Sequence, residues 1–94
     1  MTEGKQRIDK WLWYARMVRT RSDAARIVDA GYARVNGQRV TAPAHPVRPG
    51  DVITLALDRS IRVVEISGIA ERRGDASHAR LLYRNMAGCA GDNR

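Results

Sequence analysis

The chain of 94 residues has a single cysteine, Cys89, so no disulfide can form within it and nothing in the sequence points to an oxidising compartment. No apolar run approaches the ~18 residues of a membrane-crossing helix. The first ten residues lack the apolar centre of a secretory signal. A cytoplasmic protein with no membrane partner is the expectation. Metal chemistry has little to work with, because neither His45 nor His78 has the spaced cysteine or carboxylate partners of a zinc site. No glycine-rich loop follows a strand to cradle a nucleotide, and Ser22 is explained by the first turn of a helix rather than by nucleophilic duty. Asp9, Asp23, Asp29 and Asp51 fall where helix starts, ion pairs or turns account for them. The reading is therefore a non-enzyme with no catalytic residue, metal or cofactor.

What the chain does have is positive charge. The formal net charge is +7, and its distribution is uneven: residues 1–40 hold nine Lys/Arg against four acids, residues 41–94 eight against six. A chain of this size houses one domain with a modest core and little room for two independent sites. A basic domain commonly faces phosphate, in nucleic acid or at an anionic membrane. Fifteen of the seventeen cations are arginine. Compositional drift accounts for a single arginine better than for the cluster of cations.

Ile8, Trp11, Leu12 and Ala15 fall at i, i+3, i+4 and i+7, which predicts an amphipathic helix to about Met17 with that face in the core. Trp13, on the other side, is expected to pack beneath another element. In "VRTRSDAARIVDAG", Thr20 and Asp23 resemble a capping box and Gly31 sits where a helix takes its left-handed residue, so a second helix is predicted from Arg21 to Ala30. In "YARVNGQRV" the pair Asn36-Gly37 calls for a type I′ hairpin. Ala33, Val35 and Val40 would face the core, with Arg34 and Arg39 facing out. Pro49-Gly50 fits a type II turn, closing an extended connection that holds all three prolines. Strands are predicted at Val52–Leu57 and Ile61–Ile69, and a third helix over "ASHARLLYRNM", capped by Asp75.

The cations then collect on one substructure. Arg7 and Lys10 fall on the first turn of helix one, Arg16, Arg19 and Arg21 border the link between the helices, Arg26 projects from helix two, and Arg34 and Arg39 stand on the hairpin with Gln38. The start of helix two adds backbone N–H groups and a positive dipole end, both suited to phosphate oxygens. Arginine fits the task, since its planar fork grips phosphate at two points and stacks on bases.

The stretch "RIDKWLWYARMVRTRSDAARIVDAGYARVNGQRVTAPAHPVRPGDVI" resembles an S4 domain, a small RNA-binding module, with the match running from Arg7 to about Leu57. Its opening "RIDKWL", the "TRSDAARIVDAG" helix and the "VNGQRV…VRPGDVI" hairpin and turn stand in family order. The resemblance implies an α+β, αL (S4-like) fold: two N-terminal helices packed on a small, mainly antiparallel sheet, with a short C-terminal helix. It implies an S4 core over residues 7–57, a strand and helix over 58–86 completing the same domain, and a flexible tail over 87–94. Carried over by position, the RNA contacts are Arg7, Lys10, Arg16, Arg19, Thr20, Arg21, Ser22, Arg26, Arg34, Gln38 and Arg39.

"DKWLWYAR" and "ERRGDASHARLLY" are further similar to the bacterial ribosome-associated heat-shock proteins of about fifteen kilodaltons, from Arg7 to about Met86. That likeness implies a protein that binds ribosomal RNA on free large ribosomal subunits carrying a nascent chain on tRNA and helps return them to use; a monomer is the expectation for this chain. The chain ends at Arg94 and lacks the long basic C-terminal extension of longer members, so contacts made by that extension are not expected. Three alternatives stand beside this reading. One is an S4 factor of the RqcP type, acting in nascent-chain tailing. Another is the detached RNA-binding part of an RNA-modifying enzyme. The third is a protein-interaction module using Trp13 and Tyr83.

Overall fold

The computed structural model describes residues 4–57, 60–70 and 76–86. The predicted apolar stripe forms helix α1 (Ile8–Tyr14), and Ile8, Trp11, Leu12 and Ala15 are all buried. The helix starts without a side-chain cap. Its first N–H groups are met instead by backbone carbonyls of a later segment, Ile8 N donating to His45 O at 2.9 Å and Asp9 N to Pro43 O at 3.2 Å. Just before it, strand β1 (Gln6–Arg7) pairs with the short β4 (Pro46–Val47), so the proline-rich connection is clamped against the start of the chain.

Helix α1 ends sooner than its periodicity predicts. Tyr14 is its last residue, Ala15 is the C-cap, and Arg16 turns left-handed with φ +59°. Arg16 N donates to Trp13 O at 3.0 Å and Met17 N to Leu12 O at 3.0 Å, the paired bonds of a Schellman motif. Helix α2 (Arg21–Asp29) ends in the same way, with Gly31 N on Val28 O, Tyr32 N on Ile27 O and Gly31 at φ +89°. The motif that takes glycine in one helix takes arginine in the other. At the start of α2 the capping box is half formed: Thr20 Oγ1 accepts from Asp23 N at 3.0 Å, while the Asp23 carboxylate pairs with Arg26. Aspartate is one methylene shorter than the usual glutamate and turns along the helix instead of back to the cap.

Beyond α2 the chain builds an antiparallel sheet from β2 (Ala33–Val35), β3 (Gln38–Val40), β5 (Val52–Leu57) and β6 (Ser60–Ile66). Asn36 and Gly37 both have positive φ, as the type I′ turn requires. Gly50 has φ +99°, and Asp51 N donates to Arg48 O at 3.1 Å, closing the predicted turn at Pro49-Gly50. Asn36 does more than turn the chain. Its Oδ1 accepts from Val52 N at 2.9 Å and its Nδ2 donates to Asp51 Oδ1 at 3.2 Å, tying the two turns together.

The third helix is a correction. Helix α3 covers Ala76–Arg80 only; its predicted cap, Asp75, lies outside the described residues, as does the tail. Residues Tyr83–Asn85 form strand β7, paired with β6 through Val64↔Asn85, Glu65↔Arg84 and Ile66↔Tyr83, giving the order β3-β2-β5-β6-β7. Leu81 and Leu82, adjacent in sequence, part company: Leu82 is buried and Leu81 is 72% exposed. A helix only five residues long gains little from propagation, whereas a strand satisfies the open backbone edge of β6. The α+β architecture stands, with helices α1 and α2 on one face of an antiparallel sheet.

The core joins Ile8, Trp11 and Leu12 of α1 and Ala24 and Val28 of α2 to Ala33, Val35, Val40, Ile53, Leu55, Val64 and Ile66 of the sheet. Trp11 is fully buried, and its Nε1 donates to Gly68 O at 2.9 Å, so the indole is satisfied while pinning α1 to the segment after β6. Trp13 packs against this core, half-buried, beside the ring of Tyr14, as the sequence predicts.

Candidate nucleic-acid interface

The predicted cations divide between two places. Arg16, Arg19 and Thr20 lie on the exposed bend between α1 and α2, and Arg21 and Ser22 follow on the first turn of α2; the bend is braced at both ends, by the Schellman motif at Arg16 and by the Thr20 cap. Bracing fixes the backbone that carries three arginines within six residues before any ligand arrives. The N–H groups of Arg21 and Ser22 sit at the open, positive end of α2.

A buried acid organises part of this surface. The Asp9 side chain is only 3% exposed, and Arg7 grips it at two points, Nε to Oδ1 at 3.1 Å and Nη2 to Oδ2 at 2.9 Å. Arg21 Nε approaches the same carboxylate at 4.0 Å, and Lys10 N donates to it at 2.7 Å. A buried carboxylate is costly unless paired, and here it fixes the Arg7 guanidinium by two hydrogen bonds and draws the Arg21 guanidinium, from a different element, to within 4.0 Å. Both arginines stay open on their outer sides, Arg7 at 46% and Arg21 at 43% exposure. Arg7 itself stands at the cap position of α1 rather than within its first turn. Beside it, Lys10 and Arg7 line an open cleft of about 290 Å³ with Lys5, Ala44 and Pro46. Arg26 is committed to Asp23 one turn earlier on α2.

The hairpin residues lie elsewhere. Because Ala33, Val35 and Val40 point into the core, Arg34 and Arg39 project from the sheet face turned away from the helices, directly opposite each other across β2 and β3. The sequence predicts them beside the helical cations, but they do not join that surface. Alternation along the strands puts them on the opposite side of the sheet instead. Gln38 remains on the exposed outer strand, at the rim of a groove of about 540 Å³ between the hairpin and the 42–48 segment, where Lys5, His45 and Arg48 also stand.

Three contributors escaped the sequence reading. Lys5 and Arg48 join the basic rim only because β1 pairs with β4. Asp9 reads as an ordinary helix-start acid until Arg21, twelve residues away, is brought to it. A signal existed: an acid buried on a helix whose other inward residues are apolar needs cations nearby. Among the described residues there is no cluster of three histidines, cysteines or acids that could hold a metal, and no helix long and apolar enough to cross a membrane.

Comparison with known proteins agrees with this geometry. The S4 domain family matches residues 6–53. Heat shock protein 15 of Escherichia coli K12 is 40% identical over 81 residues, covering 86% of this chain and 60% of the relative. A heat shock protein 15 homolog of Aeromonas salmonicida is 38% identical, covering 87% and 61%. The small ribosomal subunit protein uS4 of Rhodopseudomonas palustris is 37% identical over 70 residues, covering 72% of this chain and 34% of that protein. The chain thus spans about three fifths of the heat shock protein 15 relatives it matches. A solved trimeric structure of Vibrio cholerae heat shock protein 15 superposes with a TM-score of 0.84 at 39% identity, covering 90% of this chain and 85% of that one. With the paired helices, the Asn36-Gly37 hairpin and the family match falling on the same residues, the chain belongs to the S4 domain family and, within it, resembles heat shock protein 15.

Proposed function

We propose that the protein is a non-catalytic RNA-binding factor that engages ribosomal RNA on the free large ribosomal subunit and returns stalled subunits carrying a nascent chain on tRNA to use after heat stress. The observation that carries the reading is the braced cationic bend between α1 and α2, where Arg16, Arg19 and Arg21 stand beside the open N-terminus of α2. Cations held in place against a helix dipole favour phosphate over neutral partners. Few exposed aromatics on this face favour readout of RNA shape and backbone over base sequence. The likeness to heat shock protein 15 and to a ribosomal protein supports a ribosomal target. In this reading Arg7, Lys10, Arg16, Arg19, Thr20, Arg21, Ser22 and Arg26 contact RNA from the helical side. Arg34, Gln38 and Arg39 contact it from the hairpin, and the protein acts in the cytoplasm as a monomer.

The test is co-sedimentation with purified large subunits, with and without peptidyl-tRNA, and with small subunits, at ~150 mM salt, where weak charge-driven binding is screened. Preference for occupied large subunits supports the proposal; equal binding to both subunits reduces it to general RNA affinity. Arg19→Glu reverses an exposed charge of the bend and should release the protein from the subunit, whereas Arg80→Glu on α3 should not. Sedimentation of the free protein as one chain supports the monomer, and a trimer would align it with the Vibrio cholerae relative.

A further inference from the structure

The sheet face turned away from the helices carries a feature that the braced bend does not explain. Ala56 N donates to Tyr32 O at 2.9 Å, extending the β2–β5 ladder by one residue, and Ala56 is in register with Ile61 on β6. Tyr32, Ala56 and Ile61 therefore form one row across three strands: two large apolar side chains with a single methyl between them. Both are left open, Tyr32 at 54% and Ile61 at 51% exposure. The next row on the same face is Arg39, Arg34 and Thr54, by the pairings Arg34↔Arg39 and Arg34↔Thr54. The two rows line one open trough of about 330 Å³.

The arginines are placed, not merely present. A Cβ built on Gly31 would lie 3.5 Å from Arg39 Cδ, so the stem of Arg39 crosses the bare glycine at the end of α2 and carries its guanidinium to the trough. Two arginines directly opposite across a strand pair repel each other, and an uncovered aromatic beside an isoleucine forgoes burial. One kind of occupant relieves both costs: a flat aromatic group joined to phosphate. We propose that this trough seats one unpaired RNA base, stacked on Tyr32 over Ala56, with the adjoining phosphate held by Arg34 and Arg39. The small side chain of Ala56 leaves the space for the base, and sheet-borne aromatics are an efficient platform for unstacked bases because every base has a π-face. The proposal rests on the RNA-binding reading and adds to it a second, base-dependent contact on the opposite face of the sheet.

The test uses the full chain and two ten-nucleotide RNA strands, an oligouridine and its counterpart with abasic sugars, which carry the same phosphates. Tyr32→Ala should lower affinity for the oligouridine about tenfold, the scale of one lost stacking contact, and leave the abasic strand unchanged. Tyr32→Phe should retain the affinity, and Ile61→Ala, which removes apolar surface without adding charge, should repeat a smaller selective loss from a different strand. Equal effects of Tyr32→Ala on both strands, or none on either, overturn the base site. Arg19→Glu separates the two ideas: if it leaves both strands bound while Tyr32→Ala keeps its selective effect, the bend fails as an RNA interface and the trough stands. Loss of a salt-insensitive self-association in Tyr32→Ala, with RNA affinity intact, overturns the proposal and reassigns the trough to a protein contact.

Discussion

Arg16 shows how a single residue trades stability for position. Its left-handed backbone, φ +59°, is a conformation in which a side chain with a Cβ costs roughly 1 kcal/mol that glycine avoids. The equivalent position after α2 is Gly31. Replacing Arg16 with glycine should therefore leave the urea midpoint unchanged or raise stability by up to about 1 kcal/mol, the relief of strain being offset in part by a freer unfolded chain. RNA affinity should fall in the same variant, and a filter-binding titration beside the urea curve checks both. Asp9 makes the opposite case, since it is buried and its value lies in its partners. Asp9→Asn keeps the shape and removes the charge that Arg7 grips, so a loss of about 1–3 kcal/mol is expected, read as a lower urea midpoint at constant slope. Because Arg7 and Arg21 lose their common anchor, affinity for RNA should fall further than stability alone explains.

Among the elements, the hairpin and the Pro49-Gly50 turn behave as one unit through Asn36. Asn36→Ala removes the side-chain bonds to Val52 N and Asp51, and a cost of about 1–2 kcal/mol follows. Gly37→Ala adds a Cβ that meets nothing within 4 Å, so its penalty comes from the backbone alone, φ +86°, and should be about 1 kcal/mol. Thermal melts of the two single variants and the double variant separate these causes: neighbours within one turn should not add. Strand β7 teaches a different lesson. Leu81, Leu82 and Met86 have helical spacing, yet the segment pairs with β6, because the value of an edge strand depends on a partner strand some twenty residues earlier in the chain.

For the whole molecule, the net charge of +7 sets how binding responds to salt. If the bend and its neighbours neutralise about five phosphates, affinity should drop roughly 10²- to 10³-fold between ~50 and ~200 mM salt. A titration across that range yields the number of phosphates from its slope, and Arg19→Glu should flatten it. A slope near zero would show that charge steers the encounter without carrying the contact. The two basic faces make a further distinction possible: substitutions at the bend should change the salt slope, whereas Tyr32→Phe should not.

Local chemistry was sufficient for the parts of this protein that answer to neighbouring residues. The stripe of Ile8, Trp11, Leu12 and Ala15, the cap at Thr20, the left-handed Gly31, the Asn36-Gly37 hairpin and the Pro49-Gly50 turn each depend on rules that span a few residues, and each appears where the sequence predicts it. The S4 family order of those motifs was legible for the same reason. What needed the tertiary structure are relations across distance. Helix α1 stops at Tyr14 because the chain must turn toward α2. Arg7 and Arg21 are aligned by an acid buried under both, and Arg34 and Arg39 fall on the far face because their neighbours on the strand are claimed by the core. A residue's helical or strand preference is written in its own side chain and those beside it; which face it finally occupies is decided by where the rest of the chain places the apolar core.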